Sequence, residues 1–407
     1  MEAANSTPSG KSKKSERRLR VVILSSFKGV EEPEGGVSVH VLNLATSLAK
    51  LDGVRVSLIS FGDRTETCQT RGFEVVTIMR KRWHKWIPLV PLMRLSRAVK
   101  MLEPDVIHLQ GTYTSPYLVY FTMLAPGSLP KVATFHGYAA EEAVSRGILV
   151  KGSLGWRISR WLEKRVVKSA SGIVCVDSRI KAKLIEKFNG LATEKSAVIL
   201  NGVDVDAFPY TESRLGRVPG LKILNAKALV AKNGQEYLIR AMPEIVRRVP
   251  STVLEIAGDG EERRRLQELV SNLSMDEHVK FLGTVPHSRI PSLISKTDLV
   301  AVPSIQVADV EEASSILLVE AMASGKPVVA SDIGGLRESI DDGRSGVLVP
   351  DRDPEAISAA VIDLYLNPEK ARAIAEVARE YVTMERTWEG VAEKHLQLYC
   401  KIAGRTN

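Results

Sequence analysis

The feature that most constrains the fold is a repeated alternation of short Val- and Ile-rich runs with longer segments of helical period. In the first half of the chain the apolar runs are RVVILSS, RVSLIS, FEVVTI, DVIHLQ, VATFHG, GIVCVD and AVIL. Strands this apolar are buried on both faces, which is typical of a parallel sheet covered by helices on each side. The pattern therefore predicts a doubly wound α/β domain.

A second unit of the same kind follows the first. The alternation restarts after Asp204 with KILNA, TVLEIAG, VKFLG, LVAVPS, PVVAS and GVLVP, and 407 residues are too many for one ordinary core. We predict an α/β protein of two Rossmann-like lobes, divided into a basic tail (1–18), a first lobe (19–203), a second lobe (204–385) and a terminal helix (386–407). Ligands of such folds bind in the cleft, at the carboxyl ends of the strands.

The composition limits the classes of protein to which the chain can belong. Its 56 basic and 48 acidic residues give a formal charge of +8, which favours nucleic acid, phosphate-bearing small molecules or an anionic membrane face as partners. The three cysteines lie far apart, so we expect neither a disulfide framework nor a structural zinc site. The tail lacks the apolar stretch of a signal peptide, and the longest apolar run is about half of the roughly 20 residues that a spanning helix needs. We expect a cytoplasmic protein.

The loop after the first strand is a candidate anion site. Gly35 and Gly36 stand directly before a predicted helix. Glycines let backbone N–H groups approach an anion, and a helix N-terminus carries partial positive charge. A tight strand-to-helix turn without a ligand fits this loop equally well.

The second lobe carries two further groups of candidate residues. Lys227 and Lys232 follow its first strand and flank a helix start, where two ammonium groups would converge on a diphosphate. Glu312 lies just before a predicted helix and Glu320 on its second turn, where carboxylates accept hydrogen bonds from sugar hydroxyls. Solvated loop lysines and glutamates placed by the helix dipole are the alternatives.

In combination, these segments resemble the retaining nucleotide-sugar glycosyltransferases of family 4, which have the two-lobed GT-B fold. The strongest similarity lies in EASSILLVEAMASGKPVVASDIGGLRESIDDGRSGVLVPDRD, which is similar to the family's signature of two glutamates separated by seven residues. Shorter matching motifs occur in the family's order: Gly35–Gly36, His136–Gly137, Asn201–Asp204, Lys232–Gly234 and Gly258–Gly260. Two positions depart from the family, since Lys227 stands where Arg is usual and Ser314–Ser315 where an aromatic-glycine pair is frequent.

The resemblance implies a role for each matching residue. The donor diphosphate would be bound by backbone N–H groups at Gly35, Gly36, Ile316 and Leu317 together with Lys227 and Lys232. Glu320 would hold the ribose, and Glu312 the transferred sugar. His136 would contact a hydroxyl of that sugar near the reacting carbon. The family also implies a C-terminal helix that crosses back onto the first lobe.

The reaction implied by the resemblance is hexosyl transfer from a nucleotide diphosphate sugar with retention of anomeric configuration. Polysaccharide, glycolipid or cell-envelope glycan synthesis is the expected setting, with a glycan, a lipid-linked molecule or a small molecule as acceptor. We expect no cofactor and no metal, since lysines and helix dipoles would stabilise the leaving phosphate. Asp204 and Asp206 have the spelling of a metal motif but lie in the predicted interdomain linker.

Two basic segments of the first lobe bear on other partners. One sets basic side chains around two tryptophans, which suits an anionic membrane interface at the inner face of the cytoplasmic membrane, nucleic-acid stacking or a plain solvated loop; its residues are Arg80, Lys81, Arg82, Trp83, Lys85 and Trp86. In the other, WRISRWLEKRVVK, we predict that Ile158, Trp161, Leu162 and Val166 face the core.

Two other functions compete with glycosyl transfer. A sugar-nucleotide epimerase would share the two-lobed architecture, but the spaced pair of glutamates favours the transferases. A nucleic-acid-binding protein would account for the charge, yet the chain carries no recognised binding motif, and we expect no nucleic-acid partner.

Overall fold

The computed structural model describes residues 18–25, 33, 35–79, 89–111, 116–217 and 219–405. The predicted tail up to residue 17 and the segment of Arg80 to Trp86 lie outside the described residues. Among those that are described, no helix is both long and apolar enough to cross a bilayer.

The first lobe contains an eight-stranded sheet within the described residues, in the order β3-β4-β2-β1-β5-β6-β7-β8. Its strands are β1 (Leu19–Leu24), β2 (Val54–Gly62), β3 (Glu66–Thr70), β4 (Phe73–Met79), β5 (Val106–Gln110), β6 (Lys131–Phe135), β7 (Gly172–Cys175) and β8 (Ser196–Val198). All neighbouring pairs are parallel except β3 and β4, which are antiparallel. The predicted parallel sheet is therefore present with one added edge strand.

The second lobe contains a six-stranded sheet in the described part of the chain, in the order β11-β10-β9-β12-β13-β14. Its strands are β9 (Leu221–Ala226), β10 (Thr252–Ala257), β11 (Val279–Gly283), β12 (Leu299–Val302), β13 (Val328–Ser331) and β14 (Val347–Val349). Every neighbouring pair is parallel. In each sheet the lobe's first strand lies between two later ones, so a crevice forms at its carboxyl end, as in other doubly wound folds.

Helices cover both sheets. Their bounds are α1 (Gly36–Lys50), α2 (Leu89–Leu102), α3 (Pro116–Val119), α4 (Ala139–Ser145), α5 (Leu154–Ser169), α6 (Ser178–Lys187), α7 (Gln235–Arg248), α8 (Arg263–Asn272), α9 (Ile290–Ser295), α10 (Ile316–Ala323), α11 (Gly334–Ser339), α12 (Pro354–Leu366), α13 (Pro368–Glu385) and α14 (Trp388–Ala403). Side-chain caps begin several of them: Asp177 accepts from the Ile180 N–H, and Thr387 from the Gly390 N–H. The first cap places the start of α6 at the carboxyl end of β7, and the second begins α14 directly after α13.

The C-terminal helix α14 belongs to the core of the first lobe, as predicted. Trp388, Val391 and Tyr399 are buried in one apolar cluster with residues of β1, β2 and α1. The Tyr399 hydroxyl lies 2.6 Å from Nδ1 of His108 on β5. The chain thus returns from the second lobe to complete the first.

The outer face of α5 differs from the prediction. Leu162 and Val166 are buried in the first-lobe core, but about half of the surface of Ile158 and Trp161 is exposed. The expected core-facing role of Ile158 and Trp161 is therefore wrong. The buried side of α5 is formed by Leu162, Glu163, Val166 and neighbouring residues, and Ile158 and Trp161 lie outside it.

Candidate functional site between the lobes

The cleft between the lobes contains a small cavity, with a volume of about 40 Å³, that residues of both lobes line. His136, Tyr138 and Glu142 line it from the first lobe, and Glu311 and Glu312 from the second. His136 follows the carboxyl end of β6, and Glu312 lies in the loop that leads into α10. The structure thus brings the two predicted catalytic residues to one cavity, although their roles stay predictions.

The position of Glu312 is fixed by a turn of two glycines at the start of α11. The Gly335 N–H donates to the Glu312 carbonyl at 2.9 Å. Gly334 has a φ of 48°, and a Cβ there would overlap the same carbonyl oxygen. Only glycine accommodates both conditions. The glycine pair in the sequence therefore positions the loop that carries the carboxylate.

Lys227 is bound to Glu312 inside the second lobe. Its Nζ lies 2.7 Å from Glu312 Oε1 and 3.1 Å from Ser304 Oγ. Burial alone would raise the pKa of Glu312, but the charges of Lys227 and Lys232 outweigh it and hold the pKa below its usual value. Burial lowers the pKa of Lys227, while Glu312 opposes that shift. The pair is thus a carboxylate and an ammonium group at the cleft.

Lys232 reaches across the cleft. Its Nζ lies 2.8 Å from Oε1 of Glu142, which stands on α4 of the first lobe and lines the cavity. Two further ion pairs join the lobes, Lys151 with Asp309 at 2.8 Å and Arg179 with Glu311. Asp309 and Glu311 also line the cavity. Lys232 therefore connects the second lobe to the wall of the cavity that carries His136.

The starts of α1 and α10 face each other. A Cβ at Gly36 would lie 3.8 Å from Cδ1 of Ile316, the first residue of α10. Gly35 has a φ of 80°, so its backbone conformation favours glycine. Ser315 makes no side-chain cap to α10, and the Leu317 side chain is buried, so these positions offer backbone N–H groups. A helix start attracts anions through its free N–H groups, and binding of the donor diphosphate at these two starts stays a prediction.

Glu320 lies apart from the cavity, one turn along α10. Its Oε1 is 2.6 Å from Nε2 of His287. Burial would lower the pKa of His287, but the hydrogen bond and charge of Glu320 outweigh it and raise the pKa. Burial raises the pKa of Glu320, against the opposing effect of His287. A ribose bound at Glu320 would share its carboxylate with His287, a residue that the sequence analysis missed.

A chain of hydrogen bonds runs from His136 to the C-terminal helix. His136 Nε2 lies 2.9 Å from Gln110 Oε1, and Gln110 Nε2 lies 3.3 Å from His108 Nε2. The same His108 nitrogen is 2.7 Å from Thr134 Oγ1. Beyond it, Nδ1 of His108 meets the Tyr399 hydroxyl. Gln110 was not singled out in the sequence, because nothing local marks it.

This chain assigns the tautomer of His136. The Gln110 amide nitrogen donates a hydrogen bond to His108 Nε2, so His108 carries its proton on Nδ1. That N–H then donates a hydrogen bond to the Tyr399 hydroxyl. The Gln110 oxygen then accepts from His136, whose proton lies on Nε2. Burial, with a contribution from His395, lowers the pKa of His136 to about 4, so the ring is neutral at pH 7. His136 Nδ1 is consequently an acceptor for a hydroxyl group.

We expect long-range proton–nitrogen NMR correlations at neutral pH to report an Nε2–H tautomer for His136 and an Nδ1–H tautomer for His108. Gln110→Leu should lower turnover about tenfold, because the ring loses its fixed orientation. Gln110→Glu keeps the acceptor oxygen and should keep the His136 tautomer. An Nδ1–H tautomer of His136 in the wild type would contradict the assignment.

Asn201 and Arg386 join the lobes behind the cavity. The Asn201 backbone N–H and side-chain amide donate to Ser314 Oγ at 3.1 Å and to its carbonyl at 2.7 Å, while Asn201 Oδ1 lies 2.8 Å from His40 Nδ1. Buried Arg386 donates to the Asn201 carbonyl at 2.9 Å and to Ser314 Oγ at 3.1 Å. Ser314, where the family differs, is thus a structural partner of this junction.

Within the described residues, no group of three or more His, Cys, Asp or Glu side chains has metal-binding geometry.

Two family models match the two lobes. The model described as Glycosyltransferase Family 4 matches residues 34–207, and the model described as Glycosyl transferases group 1 matches residues 216–381. Together they span both sides of the cavity.

Individual proteins agree with these matches. A GDP-mannose-dependent alpha-(1-6)-phosphatidylinositol monomannoside mannosyltransferase of Mycolicibacterium smegmatis is 32% identical over 247 residues, covering 58% of this chain and 64% of that enzyme. Sucrose-phosphate synthase from Thermosynechococcus elongatus has a TM-score of 0.77 at 20% identity, over 95% of this chain and 100% of that one. HepE of Anabaena, solved in complex with UDP-glucose, has a TM-score of 0.74 at 20% identity, over 94% and 100% of the two chains. The chain has the GT-B fold and belongs to the family 4 type of glycosyltransferases.

Proposed function

We propose that the protein transfers a hexosyl group from a nucleotide diphosphate sugar to an acceptor, with retention of anomeric configuration and without a metal ion. The observation that carries the proposal is the cavity to which one lobe contributes His136 and the other Glu312. The Mycolicibacterium relative is by name GDP-mannose-dependent, and HepE was solved with UDP-glucose, which supports a donor of this class.

Each residue has a part in this reaction. The helix starts at Gly36 and Ile316, with Lys227 and Lys232, bind the diphosphate and stabilise its charge as it leaves. Glu312 accepts hydrogen bonds from the sugar, and the acceptor nitrogen of His136 orients a sugar hydroxyl near the reacting carbon. Glu320 holds the ribose. Retention follows when the acceptor attacks the face from which the diphosphate departs, with a departing phosphate oxygen taking the acceptor's proton.

The acceptor and the location belong to the same proposal. The named relative acts on a phosphatidylinositol monomannoside, which favours a lipid-linked acceptor over a free glycan or a small molecule. Synthesis of a glycolipid or cell-envelope glycan at the inner face of the cytoplasmic membrane fits that chemistry. The segment from Arg80 to Trp86 remains a candidate contact with anionic lipid.

Product analysis after incubation with labelled nucleotide sugars tests the reaction class. A transferase yields a glycosylated acceptor and free nucleoside diphosphate, and the anomeric proton coupling of the product reports retention. The competing epimerase would instead convert one nucleotide sugar into another without an acceptor. That product, or an inverted linkage, would overturn the proposal.

Lys232→Ala should weaken donor binding about tenfold or more, because a charge-assisted hydrogen bond to the diphosphate is lost. Glu142→Gln is the matched control, since it removes the same ion pair across the cleft while leaving the ammonium group in place. Calorimetry with the preferred donor measures both variants. Equal weakening in the two variants would assign Lys232 to holding the lobes together and not to the donor.

Activity should survive an excess of EDTA, because lysines and helix starts supply the positive charge that a metal would otherwise provide. The assay compares initial transfer rates with and without chelator. Loss of activity that added Mg²⁺ or Mn²⁺ restores would refute the metal-free mechanism.

A further inference from the structure

The outer side of the first lobe carries a concentration of exposed apolar side chains between residues 148 and 161. They lie in the loop before α5 and on its first two turns. These are Ile148 (64% exposed), Val150 (75%), Leu154 (75%), Ile158 (49%) and Trp161 (51%). Single exposed apolar residues are ordinary, but a contiguous group marks an interaction surface. We name these five residues the α5 surface.

Helix geometry places the α5 residues of this surface together. Leu154, Ile158 and Trp161 are spaced by four and three residues, so they form one stripe. The helix already has its core-facing side, which buries Leu162, Val166 and other residues. The loop packs on the same end of the helix, because a Cβ at Gly155 would lie 3.0 Å from Leu149 Cδ2. The stripe is therefore an apolar face that the lobe's own core does not use.

Basic side chains share the exposed side of α5 with the apolar stripe. The outward positions of α5 also include four exposed basic residues, which are Arg157, Lys164, Arg165 and Lys168. The one acidic residue within α5, Glu163, is fully buried and lies 3.4 Å from Lys187. Arg165 is stacked over the Trp161 ring, with 5.6 Å between its guanidinium carbon and the ring centroid. The outer face of α5 is thus apolar and cationic, without an acidic side chain.

We propose that the α5 surface docks on the anionic surface of a phospholipid bilayer. Aliphatic side chains and a tryptophan enter the boundary between head groups and acyl chains, while lysines and arginines bind lipid phosphates. A nucleic acid would instead favour stacked aromatic rings and would gain little from Leu154, Val150 and Ile148. The mixture of exposed aliphatic and basic groups therefore selects lipid.

The α5 surface adjoins the mouth of the cleft. Lys151, in the same loop, pairs with Asp309 of the second lobe, and Asp309 lines the cavity that contains His136. A bilayer held at α5 would present the head group of a lipid-linked acceptor beside this cavity. This consequence rests on the proposed function, whereas lipid binding itself does not.

The test is co-sedimentation of the full chain with vesicles of phosphatidylcholine mixed with phosphatidylglycerol, compared with pure phosphatidylcholine. We expect the wild type to bind the anionic vesicles only. The double variant Ile158→Glu/Trp161→Glu should bind these vesicles about tenfold more weakly, or not at all. The matched control is Leu366→Glu/Met384→Glu, which changes two comparably exposed apolar residues of the second lobe (65% and 72%) and should bind like the wild type.

Several outcomes overturn the proposal. These are wild-type protein that ignores anionic vesicles, an α5 variant that binds as tightly as the wild type, and an α5 variant that loses affinity for single-stranded nucleic acid but not for lipid. Circular dichroism shows whether the exposed substitutions leave the fold intact. Donor binding measured without vesicles reports separately on the proposed function, so failure of one is distinguishable from failure of the other.

Discussion

Deleting residues 387–407 should destabilise the first lobe and abolish activity, although the deleted residues follow the second lobe in sequence. Trp388, Val391 and Tyr399 of α14 are buried among residues of β1, β2 and α1, and Tyr399 also holds His108. Removing the helix would expose that apolar surface and leave the His108 nitrogen without its partner. Hydrogen exchange should therefore accelerate in the strands of the first lobe.

A single substitution in α14 tests the same docking without removing the helix. Trp388→Ala should lower the free energy of unfolding by about 3–5 kcal/mol, which is a large share of the roughly 5–15 kcal/mol of a typical domain. Lys394→Ala, an exposed change on the same helix, should have almost no effect. If protection of the first-lobe strands stayed at the wild-type level while only the second lobe loosened, the docking of α14 would not support the first lobe.

Glu312→Gln should lower turnover about a hundredfold to a thousandfold, on the scale of losing a preorganised charge at a reacting centre. The amide is of similar size but weakens the hydrogen bonds to the sugar and removes the counter-charge of Lys227. Because that ion pair is mostly buried, we also expect about 1–3 kcal/mol of destabilisation. Single-turnover kinetics with the preferred donor measures the loss of chemistry directly.

Glu311→Gln is the control for this effect. The neighbouring carboxylate also lines the cavity, but it pairs with Arg179 of the first lobe and not with Lys227. It should reduce turnover far less than the change at Glu312. A fully active Glu312→Gln enzyme would place the sugar site elsewhere in the cleft.

The architecture could be predicted because its determinants are local and periodic. Runs such as VVIL and LVAV are buried on both sides, so they identify parallel strands without knowledge of their neighbours. The edge strand β3 was not predicted because ETCQT is polar and four of its five residues are exposed. What defines it is the turn at Arg71 and Gly72, both with positive φ, which folds it back on β4.

Only part of the candidate site could be predicted from the sequence. Residues at strand ends and helix starts, such as His136 and Glu312, carry a local signal because the fold brings those positions to the cleft. Their partners do not. Gln110 and Glu142 act through contacts with residues 26 and 90 positions away, and no short pattern encodes such distances.

The exposed face of α5 illustrates a different limit. Apolar residues at helical spacing predict burial, and for Leu162 and Val166 that was correct. Ile158 and Trp161 satisfy the same spacing rule, yet the sheet contacts only one side of the helix. Which of two apolar faces packs inward depends on the tertiary fold, which periodicity does not contain.

The cleft between His136 and Glu312 is the proposed binding site of a nucleotide diphosphate sugar. Calorimetric titration of the wild type with a panel of such donors, repeated with Lys232→Ala and Glu142→Gln, tests it most directly. We expect at least one donor to bind with a dissociation constant between about 1 μM and 1 mM. Of the two variants, only Lys232→Ala should weaken this binding. Absence of binding for every donor, or full affinity in Lys232→Ala, would contradict the proposed site.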